Sequence, residues 1–462
     1  MRVLLVVYDN GSQIHMFPMG TAYIAAALRA AGHEVGIWQQ DVHHHPDEML
    51  TTVLDEGGWD VVGIGVIAGY WQYRKLLGLS RAIERAKKRP FYMLGGHGPT
   101  ADVSYFLNKT GADAVVMGEG EVTVVELMRA IGKERRFEDV EGLAWRDGPE
   151  IRVNPRRPLI ADMDSIPLPA WDMFPMEYYR LQAIPGATRT DFVMTVLSGR
   201  GCTFTCTFCY RMDTGHRARS HDSILDEIEH LQKRWGITFI NFLDELLMTS
   251  KERTMAFCER VLERDVRFRW WCNGRINYAV PEVLALMKRA GCVFINYGIE
   301  SVDNGVLKNM RKAARVEQIE PAIANTLAAG ISPGLNMIWG NIGDSRETLD
   351  KAVEFLIAHD DGAELRTIRP VTPYPGSPLY EHAIRMGLIE DCADFYERKH
   401  TNSDLLTVNF TELGDDAFYE ALEDANRRLL TNYHDKRLKA GLDEVTRLYR
   451  ERNAAFRGFR PV

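Results

Sequence analysis

Along most of the chain a short unbroken apolar run is followed by a glycine-rich or polar break, then by a stretch with apolar residues at three- and four-residue spacing. The run reads as a strand covered on both faces, the spaced stretch as an amphipathic helix. In the first third, Val3 to Val7, Glu34 to Trp38, Val61 to Ile67, Phe91 to Leu94 and Ala114 to Met117 are predicted strands. Gly20 to Leu28, Asp47 to Leu54, Tyr73 to Lys87 and Val122 to Ile131 are predicted helices. Five strands linked this way imply a doubly wound, Rossmann-like parallel sheet. Alternation from Leu143 to Val153 around Asp147-Gly148 predicts a hairpin. Pro155, Pro158, Pro167, Pro169 and Pro175 then make a linker. Its aromatics, Trp171, Phe174, Tyr178 and Tyr179, are expected to pack across two domains.

A second series follows. Phe192 to Leu197, Phe239 to Leu243, Phe268 to Cys272, Val293 to Tyr297, Gly334 to Trp339 and Leu365 to Ile368 are predicted strands. Ser223 to Trp235, Lys251 to Leu262, Pro281 to Ala290, Val316 to Ala328 and Arg346 to His359 are predicted helices. Six such units give a partial (β/α)6 barrel of the TIM type, with chemistry at the carboxyl ends of its strands. Beyond Asp391 helices dominate, chiefly Asp415 to Tyr433 and Asp443 to Arg452. The α/β chain therefore divides into 1–140 (sheet), 141–190 (hairpin and linker), 191–388 (partial barrel) and 389–462 (helical cap).

A length of 462 residues suits about three domains and an ample core. The formal net charge of -8 argues against a nucleic-acid or anionic-membrane partner, which needs a basic face. The basic stretches Lys436 to Lys439 and Arg447 to Arg460 read as a solvated helix face. Apolar runs such as Val61 to Ala68 are too short to span a bilayer, and Met1-Arg2-Val3-Leu4 starts a strand rather than a signal peptide. Seven cysteines, an odd count without secretory context, argue against a disulfide framework and suit a reducing cytoplasm.

Three of those cysteines carry the chemistry. Cys202, Cys206 and Cys209 follow the strand ending at Leu197 and the turn Ser198-Gly199-Arg200-Gly201. Three thiols at this spacing can converge from one loop on an iron-sulfur cluster, and because a cubane takes four ligands, one iron stays open. The alternatives are buried structural cysteines or a zinc knuckle; zinc prefers four closed ligands, and no fourth follows at once, since His216 and His221 sit in a basic loop. Cys258, Cys272, Cys292 and Cys392 read as small core residues.

Polar residues stand directly after the apolar runs. Asp244-Glu245 are two carboxylates suited to an ammonium group, with a helix N-cap as the other role for Asp244. Arg275 offers a fork-shaped guanidinium to a carboxylate. Glu300 and Ser301 end the fourth strand and could instead serve a salt bridge or cap. In the first sheet, Gly95-Gly96-His97-Gly98 and Gly118-Glu119-Gly120-Glu121 sit at strand ends, where ligands bind or where tight turns simply need glycine. His43-His44-His45 reads as a solvated loop or a metal site.

The cysteine triplet, with Phe208 before its last member and Tyr210 after it, resembles the signature of the radical S-adenosylmethionine superfamily. The preceding Phe17-Pro18-Met19-Gly20, Leu94-Gly95-Gly96 and Gly118-Glu119-Gly120-Glu121 resemble the cobalamin-binding domain of its cobalamin-dependent members. Further matches are Tyr297-Gly298-Ile299-Glu300-Ser301, Met337-Ile338-Trp339-Gly340 and Pro373-Tyr374-Pro375-Gly376. The resemblance covers Met1 to about Ile389. It implies a [4Fe-4S] cluster on Cys202, Cys206 and Cys209. It implies S-adenosylmethionine beside Phe208, Tyr210, Asp244, Glu245, Arg275, Glu300, Ser301, Ile338 and Gly340. It also implies cobalamin against Gly11, Ser12, Gly20, Tyr70, Trp71, Gly95, Gly96, Gly118, Glu119, Gly120 and Glu121. Tyr70 and Trp71 could equally be core residues of an amphipathic helix. The sequence departs from related patterns in two places: no Asp-x-His-x-x-Gly motif supplies a cobalt-ligating histidine, and Ile342-Gly343-Asp344 stands where the usual form has Pro-Gly-Glu. No cysteine precedes Cys202, so the second cluster of tRNA methylthiotransferase relatives cannot be built.

The activity this implies is cobalamin-dependent radical methylation of an unactivated carbon, or of phosphorus, in a small molecule or natural product. An oxidative cyclase or rearrangement catalyst without methyl transfer is the second enzyme reading, and a non-catalytic corrinoid or iron-sulfur carrier the reading from another class. The expected partners are a small-molecule substrate and an external electron donor of the flavodoxin or ferredoxin type, with no nucleic acid and no membrane span.

Overall fold

The computed structural model describes residues 1–11, 16–133, 136–211, 214–452 and 454. Its first sheet holds β1 (Arg2–Val7), β2 (Glu34–Gln39), β3 (Val61–Gly65), β4 (Phe91–Gly95), β5 (Ala114–Val116), β6 (Leu143–Asp147) and β7 (Glu150–Val153), ordered β2-β1-β3-β4-β5-β6-β7. The first five are parallel, and β1, β3, β4 and β5 are buried on both faces, which accounts for their apolar character, while β2 at the edge is only partly covered. Ala25, Leu28, Leu127 and Met128 cover one face, Leu50, Leu54, Leu76 and Phe106 the other. The strand order reverses between β1 and β3, placing a crevice at their carboxyl ends. The predicted hairpin is present, and it docks antiparallel on β5, so the edge strand is paired. Two helices the apolar pattern does not announce, His97–Ala101 and Val103–Thr110, lie between β4 and β5. Asp102 separates them and caps the second by accepting from the Tyr105 N–H at 3.0 Å.

The second sheet comprises β8 (Val193–Val196), β11 (Phe239–Phe242), β12 (Arg269–Gly274), β13 (Cys292–Glu300), β14 (Ser332–Trp339) and β15 (Arg369–Pro370), six parallel strands in sequential order, curled into a half-barrel. Alternation sorts the faces. Ile240, Phe242, Trp270, Cys272, Ile295, Tyr297, Leu335 and Met337 join the core shared with the outer helices. The intervening Thr195, Asn241, Trp271, Asn273, Asn296 and Asn336 therefore line the concave side.

The sixth strand is expected at Leu365 to Ile368 and instead falls on Arg369–Pro370. Arg366, 7% exposed, is bound by Asp360 (2.6 Å), Asp361 (3.0 Å) and the Pro333 carbonyl (2.8 Å), which holds that segment as a loop. The two expected C-terminal helices are one, Asp415–Glu451, because Lys436 to Ala440 favour helix and Gly441 costs only about 1 kcal/mol. Phe418, Ala421, Leu422, Ala425 and Leu429 form its buried stripe, with Phe418 stacked on Trp339 at 4.2 Å. Among the described residues no helix is long and apolar enough to cross a membrane.

Two aromatic clusters join the sheets. Phe17, before the first helix, packs on Trp171, Phe174 and Tyr179 of the linker at 4.5, 5.0 and 5.3 Å, as expected of those aromatics. After the barrel the chain turns back. Tyr380, Phe395, Tyr396 and Val408 enter the core of the first sheet, where Tyr396 stacks on Tyr73 at 4.8 Å and Glu397 accepts from the Tyr105 hydroxyl at 2.9 Å.

Phe17→Ala should destabilise the protein by about 3–5 kcal/mol, the usual loss for a buried phenylalanine, read as a lowered urea midpoint.

Candidate active site

The loop after β8 is built as a hairpin, β9 (Gly199–Cys202) against β10 (Gly215–Ala218), so His216 lies on a strand rather than in the expected basic loop, and His221 opens the helix that follows. Two glycines make the pairing possible. Gly201, at φ +85°, would place a Cβ 2.3 Å from the Gly215 carbonyl oxygen, and Gly199 one 2.7 Å from that of Arg217. Beyond Cys202 the loop is held at its middle, where the Thr207 N–H donates to the Met310 carbonyl (2.9 Å) and the Thr207 carbonyl accepts from Leu379 (2.8 Å).

Cys202, Cys206 and Cys209 are free thiols, half-buried, buried and exposed in turn. Although the Cys209 side chain reaches solvent, enough protein surrounds it that burial, together with Cys206 and Cys202, pushes its thiol up to about 11. Cys206 and Cys202 thus share the electrostatic neighbourhood of Cys209 and disfavour its charge as long as no cation sits among them. Among the described residues no three donors converge on a single metal-ion position.

The strand-end residues fall into two kinds. Asp244, 2% exposed, accepts from the Ser198 N–H at 2.7 Å and from the Ser198 hydroxyl, so it ties the end of β11 to that of β8. Burial raises its carboxyl to about 7, against the pull of the Ser198 hydrogen bonds. Glu245 is exposed and accepts from the Gly201 N–H at 3.1 Å, directly before the first cysteine. Arg275 lies over the Phe204 ring at 3.4 Å and donates to the Lys312 carbonyl. Glu300, at φ +68° beside a bulge in β13, pairs with Lys312 at 2.8 Å, and Lys312 stands 5.8 Å from the Phe208 ring. A Cβ on Gly298 would lie 2.3 Å from the Glu300 carboxylate and 2.8 Å from the Lys312 ammonium, so the pair sits directly over this glycine. The Ser301 hydroxyl accepts from the Asp303 N–H at 3.2 Å. Gly340 lies under the Phe418 ring, 2.8 Å from where its Cβ would be, and Ile338 is half-buried on the concave face.

Asparagines across the concave wall add to these, and the reading of strand ends passes over them. Asn273 donates to the Asp244 carbonyl at 2.7 Å and accepts from Asn296 at 3.0 Å. Deeper, Thr195 and Asn241, each 1% exposed, have side-chain oxygens without a hydrogen-bond partner. Their signal in the sequence is one polar residue at the inward position of each otherwise apolar strand.

Opposite, at the carboxyl edge of the first sheet, Gly20, Gly65 and Gly118 have open space where a Cβ would stand, and Ile67 and Trp71 are 51% and 39% exposed. This apolar shelf suits a flat, large ring system; Gly65 and Ile67 belong to it although the glycine clusters do not point to them. Gly11 lies against the Trp71 indole, which donates to the Asp9 carbonyl at 3.1 Å; Ser12 lies outside the described residues. Tyr70 meets His400 edge-on at 5.9 Å. Gly96, at φ +90°, would put a Cβ 2.6 Å from the Val66 carbonyl, Gly95 passes near Val116, and Gly120 abuts Ile24. Glu119 and Glu121 do not face the shelf with free carboxylates: both are held by arginines of the β9–β10 hairpin. His44 of the histidine run pairs with Asp9 at 2.8 Å, and His43 stacks on His45 at 5.3 Å. The two edges meet where His97 packs edge-on against Tyr210 at 5.6 Å.

Comparison with known proteins agrees with this layout. The Radical SAM superfamily model matches residues 196–356 and the B12 binding domain model residues 11–128. An uncharacterized methyltransferase of Pyrococcus horikoshii is 29% identical over 401 residues, covering 84% of each chain. An anaerobic magnesium-protoporphyrin IX monomethyl ester cyclase of Rubrivivax gelatinosus is 27% identical over 401 residues, covering 82% of this chain and 70% of the other. The radical S-adenosylmethionine methyltransferase TsrM of Kitasatospora setae, solved with cobalamin and a [4Fe-4S] cluster bound, superposes with a TM-score of 0.73 at 18% identity, covering 92% of this chain and 88% of that one. The last likeness is one of fold.

Changing Cys202, Cys206 and Cys209 together to Ala should abolish the iron content and visible absorbance of anaerobically reconstituted protein; four irons retained would refute the ligand assignment. Asp244 titrates near 3.8 when unfolded and about 7 when folded, so across that window the folded state keeps a proton that the unfolded state releases. Stability should therefore fall as pH rises from about 4 to about 7 and level off above it, and Asp244→Asn should flatten that part of a urea-midpoint profile.

Proposed function

We propose that this chain, which matches both the Radical SAM superfamily and the B12 binding domain models, is a cobalamin-dependent radical S-adenosylmethionine methyltransferase acting on an unactivated carbon, or on phosphorus, of a small molecule or natural product. One observation supports the reading: the loop that carries three free thiols meets, at the His97–Tyr210 contact, the carboxyl edge of the first sheet, where an open, glycine-lined apolar shelf lies. When bound, the [4Fe-4S] cluster, S-adenosylmethionine and cobalamin together supply a hydrogen-abstracting radical and a transferable methyl group.

The protein's part is to hold, orient and shield. Cys202, Cys206 and Cys209 ligate the cluster. The exposed Glu245 carboxylate, anchored on the Gly201 N–H, is placed to take the ammonium of S-adenosylmethionine, while buried Asp244 fixes the strand end behind it. Arg275, flat on Phe204, supports the loop and offers its remaining N–H groups to a carboxylate. The Glu300–Lys312 pair and Phe208 form the wall beside Cys209. Asn273, Asn296 and Asn336 give the concave face donors and acceptors that orient a substrate without adding charge. On the first domain Gly20, Gly65, Gly118, Ile67 and Trp71 form the bed for cobalamin. The electron for the cluster comes from an external flavodoxin- or ferredoxin-type donor, and the reaction takes place in the cytoplasm without nucleic acid.

The cyclase relative keeps a second reading in view, oxidative cyclisation without methyl transfer. Product analysis separates the two. With substrate, methylation should release S-adenosylhomocysteine and 5′-deoxyadenosine in step with methylated product; 5′-deoxyadenosine without S-adenosylhomocysteine would sink the methyltransferase reading in favour of the cyclase. Protein from cobalamin-replete cells should carry a corrinoid absorption spectrum, and a corrinoid-free form of full activity would remove cobalamin from the account.

A further inference from the structure

The hairpin that delivers the first cysteine is bound to the first domain by a buried ion cluster. Glu119 and Glu121 follow β5 at the carboxyl edge of the first sheet; Arg200 and Arg217 face each other across β9 and β10. Arg200 reaches Glu119 at 2.9 Å and Glu121 at 2.6 Å with two different nitrogens, and Arg217 reaches both Glu119 oxygens at 3.0 and 2.8 Å. The Glu119 carboxylate also accepts the Ile160 N–H of the linker at 2.9 Å, and Arg217 donates to the Ile160 carbonyl at 2.8 Å. Arg200 lies over the Tyr23 ring at 5.0 Å. Side-chain exposure is 18% for each arginine and 8% for each glutamate, so the charges are screened by protein rather than water. Two carboxylates meet two guanidiniums, and the net charge is zero.

We propose that Glu119, Arg200 and Arg217 are positioning residues that set the separation and tilt between the cluster loop and the cobalamin bed. Three pieces of chain meet at Glu119: the turn that carries Gly118, the linker, and the hairpin that ends in Cys202. Arg200 is two residues from Cys202, and Glu119 is next to Gly118, one of the open positions of the bed. Between the two edges the chain therefore runs through only a few covalent bonds and one ionic contact. Arg200 spreads its two terminal nitrogens over two carboxylates while Arg217 spans both oxygens of one and the Ile160 carbonyl with a single nitrogen, so the contacts constrain orientation as well as distance. Buried, they cannot slide without leaving a charge unpaired. The inference rests on the proposed function in that it takes both cofactors to be present.

The test is the magnetic coupling between the reduced cluster and cob(II)alamin, each with one unpaired electron, in anaerobically reduced full-length protein; the dipolar splitting falls with the inverse cube of their separation. Glu119→Gln keeps the shape and removes the charge, Arg217→Met removes one arm, and Arg29→Met, which breaks an exposed pair with Asp172 elsewhere between domain and linker, is the control. The native protein and the control should show one resolved splitting. The two variants should lose it to a broad distribution while their iron and corrinoid contents stay at native levels. A native splitting in fully loaded Glu119→Gln and Arg217→Met overturns the proposal. Absence of any coupled signal in the loaded native protein refutes the proposed function instead. If a variant does not load, amide hydrogen exchange on the as-purified full chain decides. Faster exchange in Glu119→Gln at both Met117–Gly120 and Gly199–Cys202 supports the proposal, and a change on one side alone overturns it.

Discussion

Two α/β sheets that each bind ligands beyond their carboxyl ends can share a reaction only if those ends are made to face one another. Neither sheet's own hydrogen bonding achieves this; it is done by what packs between them. Phe17 inserts into the linker aromatics at one side, His97 meets Tyr210 at the mouth, and the chain after the barrel returns to Tyr73 and Tyr105 at the other side. Given that geometry, small residues suit the edges: side chains at Gly65 or Gly118 would project into the open space between them.

The joint is apolar at its flanks and ionic at its centre, and the two parts do different work. Aromatic burial supplies affinity but tolerates sliding, because dispersion contacts have little directionality. The Glu119 cluster adds little net stability, since taking charges out of water costs about what their attraction returns. Burial alone would raise the Glu119 carboxyl; the Ile160 N–H and the two guanidiniums overcome that and hold it below the usual carboxylate range. Such a group exchanges stability for a defined arrangement. Asp244 is the converse case: its two donors come from one neutral serine, and burial wins.

Most of this architecture is legible in the residues. The mostly apolar runs place ten of the strands closely, because a strand with at least one well-covered face must be apolar along it, and the cysteine spacing names the loop. What escapes is of one physical kind. The hairpin β9–β10 has no apolar signal, because it is built on glycine clearance at Gly199 and Gly201. The Leu365 to Ile368 run looks like a strand, yet Arg366 takes its partners elsewhere. Glu119 and Glu121 sit in the motif that suggests a ligand, but their partners lie some eighty residues on, a distance no local pattern reports. Asp244 and Glu245 are adjacent in sequence and opposite in exposure, which only the strand end decides.

The returning segment bears on how the molecule is made. Tyr380, Phe395, Tyr396 and Val408 complete one face of a sheet whose strands all lie before residue 154. As the chain leaves the ribosome, its first domain can form its strands and helices but cannot close that face until the entire barrel has been synthesised. For that interval Tyr73, Leu76 and Phe106 have no finished cover, and the domain remains a partly open intermediate. Chain order thus makes the two halves mature together: a truncation inside the barrel would leave the first domain unfinished as well as the second.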